Sequence, residues 1–211
     1  HHSGLTQINT ETVSDLGLAW AVDLPTRDGL VGNPLISNGR IFQSGSQSQV
    51  FANDLKTGKL LWTFEPLADR PPNSFLETWL RSLNRGLALY EDLVIVGTSD
   101  CRLVAIDQET GVEQWQVETC DSEQAYMISG APRVGGGKVF IGNSCADMGL
   151  NRGHVDAVDA KTGEHLWRFY TVPGDPNEPQ DSELYEMALK TWGEGWYEST
   201  RGCGSVWDAM V

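Results

Sequence analysis

Four cysteines, Cys101, Cys120, Cys145 and Cys203, are the side chains of this sequence with the most reactive chemistry open to them. They fall in no CxxC or CxxCH pattern, which disfavours a zinc ribbon or covalently attached haem and leaves disulfides or buried free thiols. Other catalytic patterns are missing: the chain has no GxSxG elbow, P-loop, HExxH pair or strand-borne GxGxxG. Gly135-Gly136-Gly137 opens no helix, so it reads as a hairpin turn rather than a phosphate loop. What the cysteines do therefore depends on the elements that hold them.

Those elements repeat. The frame Asp-x-x-Thr-Gly-x-x-x-Trp occurs at Asp54–Trp62, Asp107–Trp115 and Asp159–Trp167, with steps of 53 and 52 residues. A short apolar run precedes each frame and another begins after it, so the frame reads as a hairpin turn in which Asp starts the turn and Gly supplies positive φ. Two further runs lie upstream in each unit, clearest at 86–90 and 93–97, and recur at 34–42 and 131–142. A unit of about 40–50 residues holding four antiparallel strands is a β-propeller blade. The expected fold is all-β, with one tryptophan per unit packed between neighbouring blades; Trp20 stands as the matching residue of a preceding blade.

On this frame Cys101 begins a third strand and Cys120 ends the fourth, which places them nearly opposite and predicts a disulfide. Cys145 and Cys203 fall near the axis on adjacent blades and are expected to pair as well. Disulfides imply an oxidising compartment such as the periplasm.

A ring of such units needs several hundred residues, and 211 are too few. The expectation is a partial propeller over 1–211 of about four blades, the first and last incomplete, completed by the remaining blades of the same polypeptide or by other chains. Insertions at 66–83 and 173–201 break the period on one rim. The first has apolar residues at helical spacing, and the second a helix over 182–191 followed by Trp192, Trp196 and Tyr197. The formal charge of −14 argues against nucleic acid or an anionic membrane as partner. No apolar run reaches the ~18 residues of a membrane helix.

The stretches between the repeats carry a more specific likeness. Ser3-Gly4-Leu5-Thr6-Gln7-Ile8-Asn9, Asn84-Arg85-Gly86, Ser129-Gly130-Ala131-Pro132-Arg133-Val134, the run from Trp167 to Pro176, and Gly204-Ser205-Val206-Trp207-Asp208 resemble the quinoprotein alcohol dehydrogenases. That family forms eight-bladed propellers holding pyrroloquinoline quinone (PQQ) and Ca2+ on the axis. The resemblance implies that Arg85 reaches the anionic cofactor through its several fixed donors. Ser129 and Ser205 would supply hydroxyl contacts, Ser144, Cys145 and Ala146 would wrap the cofactor edge, and Trp207 would form the floor beneath its ring. Asp147 would be a calcium ligand, where the family commonly has Glu.

Two positions depart from the pattern. Val31 stands where the family has a glutamate, and Trp79 and Leu80 stand where it often has two adjacent cysteines; an indole at Trp79 would stack over the cofactor from above. The catalytic base of the family falls beyond Val211, so no catalytic residue is assigned. The implied activity is oxidation of a small-molecule alcohol by hydride transfer to the quinone, with electrons passed to a cytochrome. The competing reading is a propeller that carries these repeats without a cofactor and serves as a binding or assembly scaffold.

Overall fold

The computed structural model describes residues 4–69, 78–79, 81–124, 126–144, 151–208 and 210, and the repeat builds three four-stranded antiparallel sheets. The first contains β1 (Leu35–Ser37), β2 (Arg40–Ser44), β3 (Val50–Asp54) and β4 (Leu60–Phe64). The second contains β5 (Leu87–Tyr90), β6 (Leu93–Gly97), β7 (Arg102–Asp107) and β8 (Glu113–Glu118). The third contains β9 (Arg133–Gly135), β10 (Lys138–Gly142), β11 (His154–Asp159) and β12 (His165–Tyr170). Each sheet follows chain order, and β1, β5 and β9 lie side by side as the inner edge.

The frame residues explain the hairpins atom by atom. Asp54 Oδ1 accepts from the backbone N–H groups of Lys56 and Thr57 and from Thr57 Oγ1, at 3.1, 2.8 and 2.7 Å. Asp107 does the same with Glu109 and Thr110, and Asp159 with Lys161 and Thr162. These bonds hold all three carboxyls below the usual range, led by the threonine hydroxyl at Asp54 and Asp107 and by the Thr162 N–H at Asp159. Gly58, Gly111 and Gly163 close the turns at φ of 73, 74 and 73°.

The same glycines have a second task. The ring of Trp20 lies on Gly58, that of Trp62 on Gly111 and that of Trp115 on Gly163, where a Cβ would come within 2.7–2.8 Å of the indole. Trp20 Nε1 donates to Leu55 O at 3.0 Å and Trp62 Nε1 to Gln108 O at 3.2 Å, in each case the residue after the frame aspartate. The tryptophan of one sheet is thus seated on the turn of the next. Trp20 docks in this way without lying in a strand. Among the described residues no sheet follows that of Trp167, which is 42% exposed.

Packing between the sheets accounts for the unbroken apolar runs of the middle unit. Val94, Val96, Val104 and Ile106 face the first sheet with Phe42, Val50 and Ala52, whereas Ile95, Leu103 and Ala105 face the third with Val139, Ile141 and Val158. A strand covered on both faces needs apolar residues at every position.

A polar cluster crosses the second interface. Asp156, 1% exposed, accepts from Arg168 Nε at 2.9 Å and lies 2.5 Å from His165 Nε2 and 3.2 Å from His154 Nε2. Arg168 Nη2 also donates to Thr119 O at 2.7 Å, and His154 Nε2 lies 2.9 Å from the same oxygen. Thr119 follows β8, so these bonds fasten the second sheet to the third.

Beside Thr119, Cys101 and Cys120 form the expected disulfide, with Cα atoms 4.9 Å apart. It closes a loop of 19 residues. Replacing both cysteines with serine should lower the unfolding free energy by about 3 kcal/mol, read from urea curves. A loss below about 1 kcal/mol would mean that the β7–β8 ladder alone closes the loop.

The expected Cys145–Cys203 bridge is corrected: Cys203 is a free thiol whose Sγ points to Thr200 O at 3.7 Å. The turn holding Cys203 at φ 57° directs its sulfur back along its own segment. Cys145 lies outside the described residues, as do residues 70–77 and 80 of the first insertion, where Thr78, Trp79 and Arg81 are helical. In the second insertion a helix occupies Glu183–Leu189, with Tyr185 Oη donating to Tyr170 O at 3.0 Å.

Candidate functional site

Because β1, β5 and β9 share the inner edge, residues that lead into them converge. Asn84-Arg85-Gly86 leads into β5. Asn84, 2% exposed, donates from Nδ2 to Gly97 O at 2.9 Å and accepts at Oδ1 from the Gly86 N–H at 3.1 Å. Gly86 takes φ 137°, a region closed to residues with a Cβ. The motif is therefore a rigid mount for Arg85. The part played by Asn84 went unread in the sequence, although its place in the Asn-Arg-Gly string pointed to it.

Arg85 Nη1 donates to Ser129 Oγ at 2.8 Å, and Ser129 Oγ lies 2.7 Å from Ser144 Oγ. The backbone reinforces the contact through Arg85 N to Ser129 O at 3.0 Å. Both serines are buried. On its other side the Arg85 guanidinium lies 4.5 Å from the centroid of the Trp207 ring. Four of the residues expected at the cofactor site thus meet in one place, contributed by four separate segments. Ser205 lies on the segment that carries Trp207.

Beside this group is a cleft of about 470 Å³ at the inner edge, lined by Arg85, Val31, Asn33, Arg133 and Asp208 among others. Val31 presents an apolar surface there, 52% exposed, and offers no donor or acceptor. Trp79 is 55% exposed and makes no ring contact with Trp207 among the described residues. Cys145, Ala146 and Asp147 lie outside the described residues. Among the described residues no group of three or more His, Cys, Asp or Glu is arranged to hold a metal ion.

The chemistry of the site follows from its donors. Nε and Nη2 of Arg85 have no hydrogen-bond partner among the described residues, so the guanidinium keeps donors for an anion. Trp207, 44% exposed, offers an indole face for a flat ring. Two coupled hydroxyls complete a set that suits a planar molecule bearing carboxylate or carbonyl oxygens.

Sheets seated on one another by tryptophan, with a cationic and hydroxyl-bearing cluster at their inner edge, define a sector of a β-propeller. The chain belongs to the glucose/ethanol/alcohol dehydrogenase β-propeller family named for PQQ, whose model matches residues 1–203. It is 48% identical over its whole length to lupanine 17-hydroxylase [cytochrome c] from a Pseudomonas species, and 43% identical to the quinohemoprotein alcohol dehydrogenase ADH-IIG of Pseudomonas putida. The chain spans about 30% of the length of these relatives. Among solved structures it superposes on quinohemoprotein alcohol dehydrogenase from Comamonas testosteroni with a TM-score of 0.85 at 40% identity, covering 99% of this chain and 31% of that one. A europium-containing methanol dehydrogenase matches at a TM-score of 0.71 and 32% identity, over 82% of this chain and 30% of the other.

Proposed function

We propose that the full-length protein is a PQQ- and calcium-dependent dehydrogenase that oxidises an alcohol. The observation that carries this reading is the meeting of Arg85, Ser129, Ser144 and Trp207 at the inner edge. Arg85, Ser129, Ser144, Ser205 and Trp207 would hold the cofactor, which when bound would supply a hydride acceptor for alcohol oxidation, and the metal held by Asp147 would supply a Lewis acid beside it. Arg85 supplies positive charge and fixed donors to the cofactor oxygens, and it can reorient because a single guanidinium nitrogen is bonded to protein. Ser129 and Ser144 orient Arg85 and offer hydroxyls, as does Ser205. Trp207 supplies the stacking surface and excludes water from one side of the ring. Asp147 is the proposed calcium carboxylate, and Cys145 and Ala146 the proposed wall, on the resemblance of their sequence.

The names of the relatives extend the proposal to a haem-bearing electron acceptor and to a substrate class that includes alcohols and lupanine. The Cys101–Cys120 disulfide supports a periplasmic setting. No helix among the described residues is long and apolar enough to cross a membrane.

Titration of the full-length protein with PQQ and Ca2+, followed by absorbance and by dye-linked oxidation of alcohols and lupanine, tests the reading. Saturable binding is expected, and Arg85→Met should weaken it by about 10- to 100-fold, the worth of a charge-assisted hydrogen bond. Absence of quinone binding by the wild-type protein would favour the scaffold reading, for which the apolar Val31 in the cleft is the supporting observation.

A further inference from the structure

Three glycines receive the segment that carries Trp207. Gly153 faces Gly204, Gly142 faces Val206 and Gly130 faces Trp207, in order along the segment. A Cβ on Gly153 would overlap the Gly204 carbonyl oxygen, and one on Gly142 would overlap the oxygen and Cβ of Val206. On Gly130 it would stand 3.1 Å from Trp207 O. None of the three has positive φ, so their own backbone does not demand glycine. Gly142 even ends a strand, where glycine weakens the ladder and marks close approach of another backbone.

Hydrogen bonds stitch the segment along this track. Gly153 N donates to Cys203 O, Val206 N to Asn143 O at 2.9 Å, and Thr171 Oγ1 to Gly204 O at 2.7 Å. The track also interleaves with the site, since Ser129 adjoins Gly130 and Ser144 lies two residues beyond Gly142. The segments that present hydroxyls to Arg85 are therefore those that set, by backbone-on-backbone contact, how close the indole comes.

We infer that Gly142 and Gly153 are positioning residues for Trp207, holding the indole against Arg85 at the depth where the flat cofactor stacks. The stacking part of this inference rests on the proposed function. An added methyl at either glycine displaces the segment, and the indole with it, from the inner edge.

The test is made in the full-length protein with Gly142→Ala, Gly153→Ala and Gly130→Ala, each with Trp207 intact and with Trp207→Phe. In the cofactor-free protein, the difference in tryptophan emission between each variant and its Trp207→Phe partner isolates Trp207, and it should shift for Gly142→Ala and Gly153→Ala. Quinone affinity should fall by roughly two- to tenfold, the loss expected when ring stacking is removed. In a Trp207→Ala background, Gly142→Ala should cause no further loss, because both changes act through one contact. Unshifted Trp207 emission with unchanged affinity would overturn the inference, as would an equal loss in the Trp207→Ala background. Should the two tighter variants fail to fold, Gly130→Ala decides by the same emission readout, an unshifted spectrum again overturning it. If the wild-type protein binds no quinone, the proposed function falls while the emission measurement still decides the positioning role.

Discussion

Asp156→Asn is expected to lower the unfolding free energy by about 3–5 kcal/mol, the cost of removing one partner from a buried ionic cluster. The carboxylate is 1% exposed and faces Arg168, His154 and His165 together. An amide in its place turns N–H donors toward groups that already donate, and it leaves the Arg168 guanidinium without its counter-charge. Because Arg168 and His154 also bond to Thr119 O, the loss extends to the junction between the second and third sheets.

Acid provides an internal check. Burial alone would push the Asp156 carboxyl up, but hydrogen bonds from His154, Arg168 and His165 outweigh it and hold the group below the 3.8 of an unperturbed aspartate. The folded value is thus lower than the unfolded one. This contribution is complete above the unfolded value and drains away as pH falls through the folded one. Urea denaturation should therefore show the gap between wild type and Asp156→Asn narrowing below the unfolded value of 3.8. A gap that stays constant with acidification, or one below about 1 kcal/mol at neutral pH, would show the cluster to be nearly neutral in net energy.

Trp62→Ala should destabilise by about 3–5 kcal/mol, as large-to-small changes at packed aromatic positions do. The indole rests on Gly111, packs with Phe42 at 5.9 Å between ring centroids, and donates from Nε1 to Gln108 O. Removing it opens a cavity at the interface of two sheets and strands that carbonyl. The same junction can be attacked from the other side: Gly111→Ala adds a methyl 2.8 Å from the Trp62 ring at a residue with φ 74°. Trp167→Ala in this chain is the control. That indole is 42% exposed here, so its removal should cost much less than that of Trp62 in matched denaturation curves. Equal costs at the two positions would mean that the tryptophans act within their own strands rather than between sheets.

The candidate site was legible to different depths at different residues. Arg85, Ser129, Ser144 and Trp207 were named from strings of sequence, and the structure brings all four together. Asn84 and the glycine track were not legible as parts of the candidate site. Asn84 acts through Gly97 O and the glycines through a segment at least 50 residues away for Gly153, and neither distance is encoded locally. The Cys145–Cys203 pairing failed for a related reason: nearness to an axis does not fix the direction of a thiol, and the turn at Cys203 sets it otherwise.

The sequence by itself determined the repeat, the turns and the Cys101–Cys120 bond, because each depends on short-range chemistry. Asp, Thr and Gly close one hairpin within a few residues, and a hairpin brings its two ends opposite one another. Tertiary structure alone decided which surfaces those hairpins present to one another. Asp156 shows the difference. It sits in an alternating strand, as a solvent-facing acid would, yet the sheet before it delivers Thr119 O to the cluster while Arg168 and His165 close over it from β12. A buried charge is tolerated only when its partners arrive from elsewhere, and their arrival is a property of how the sheets stack.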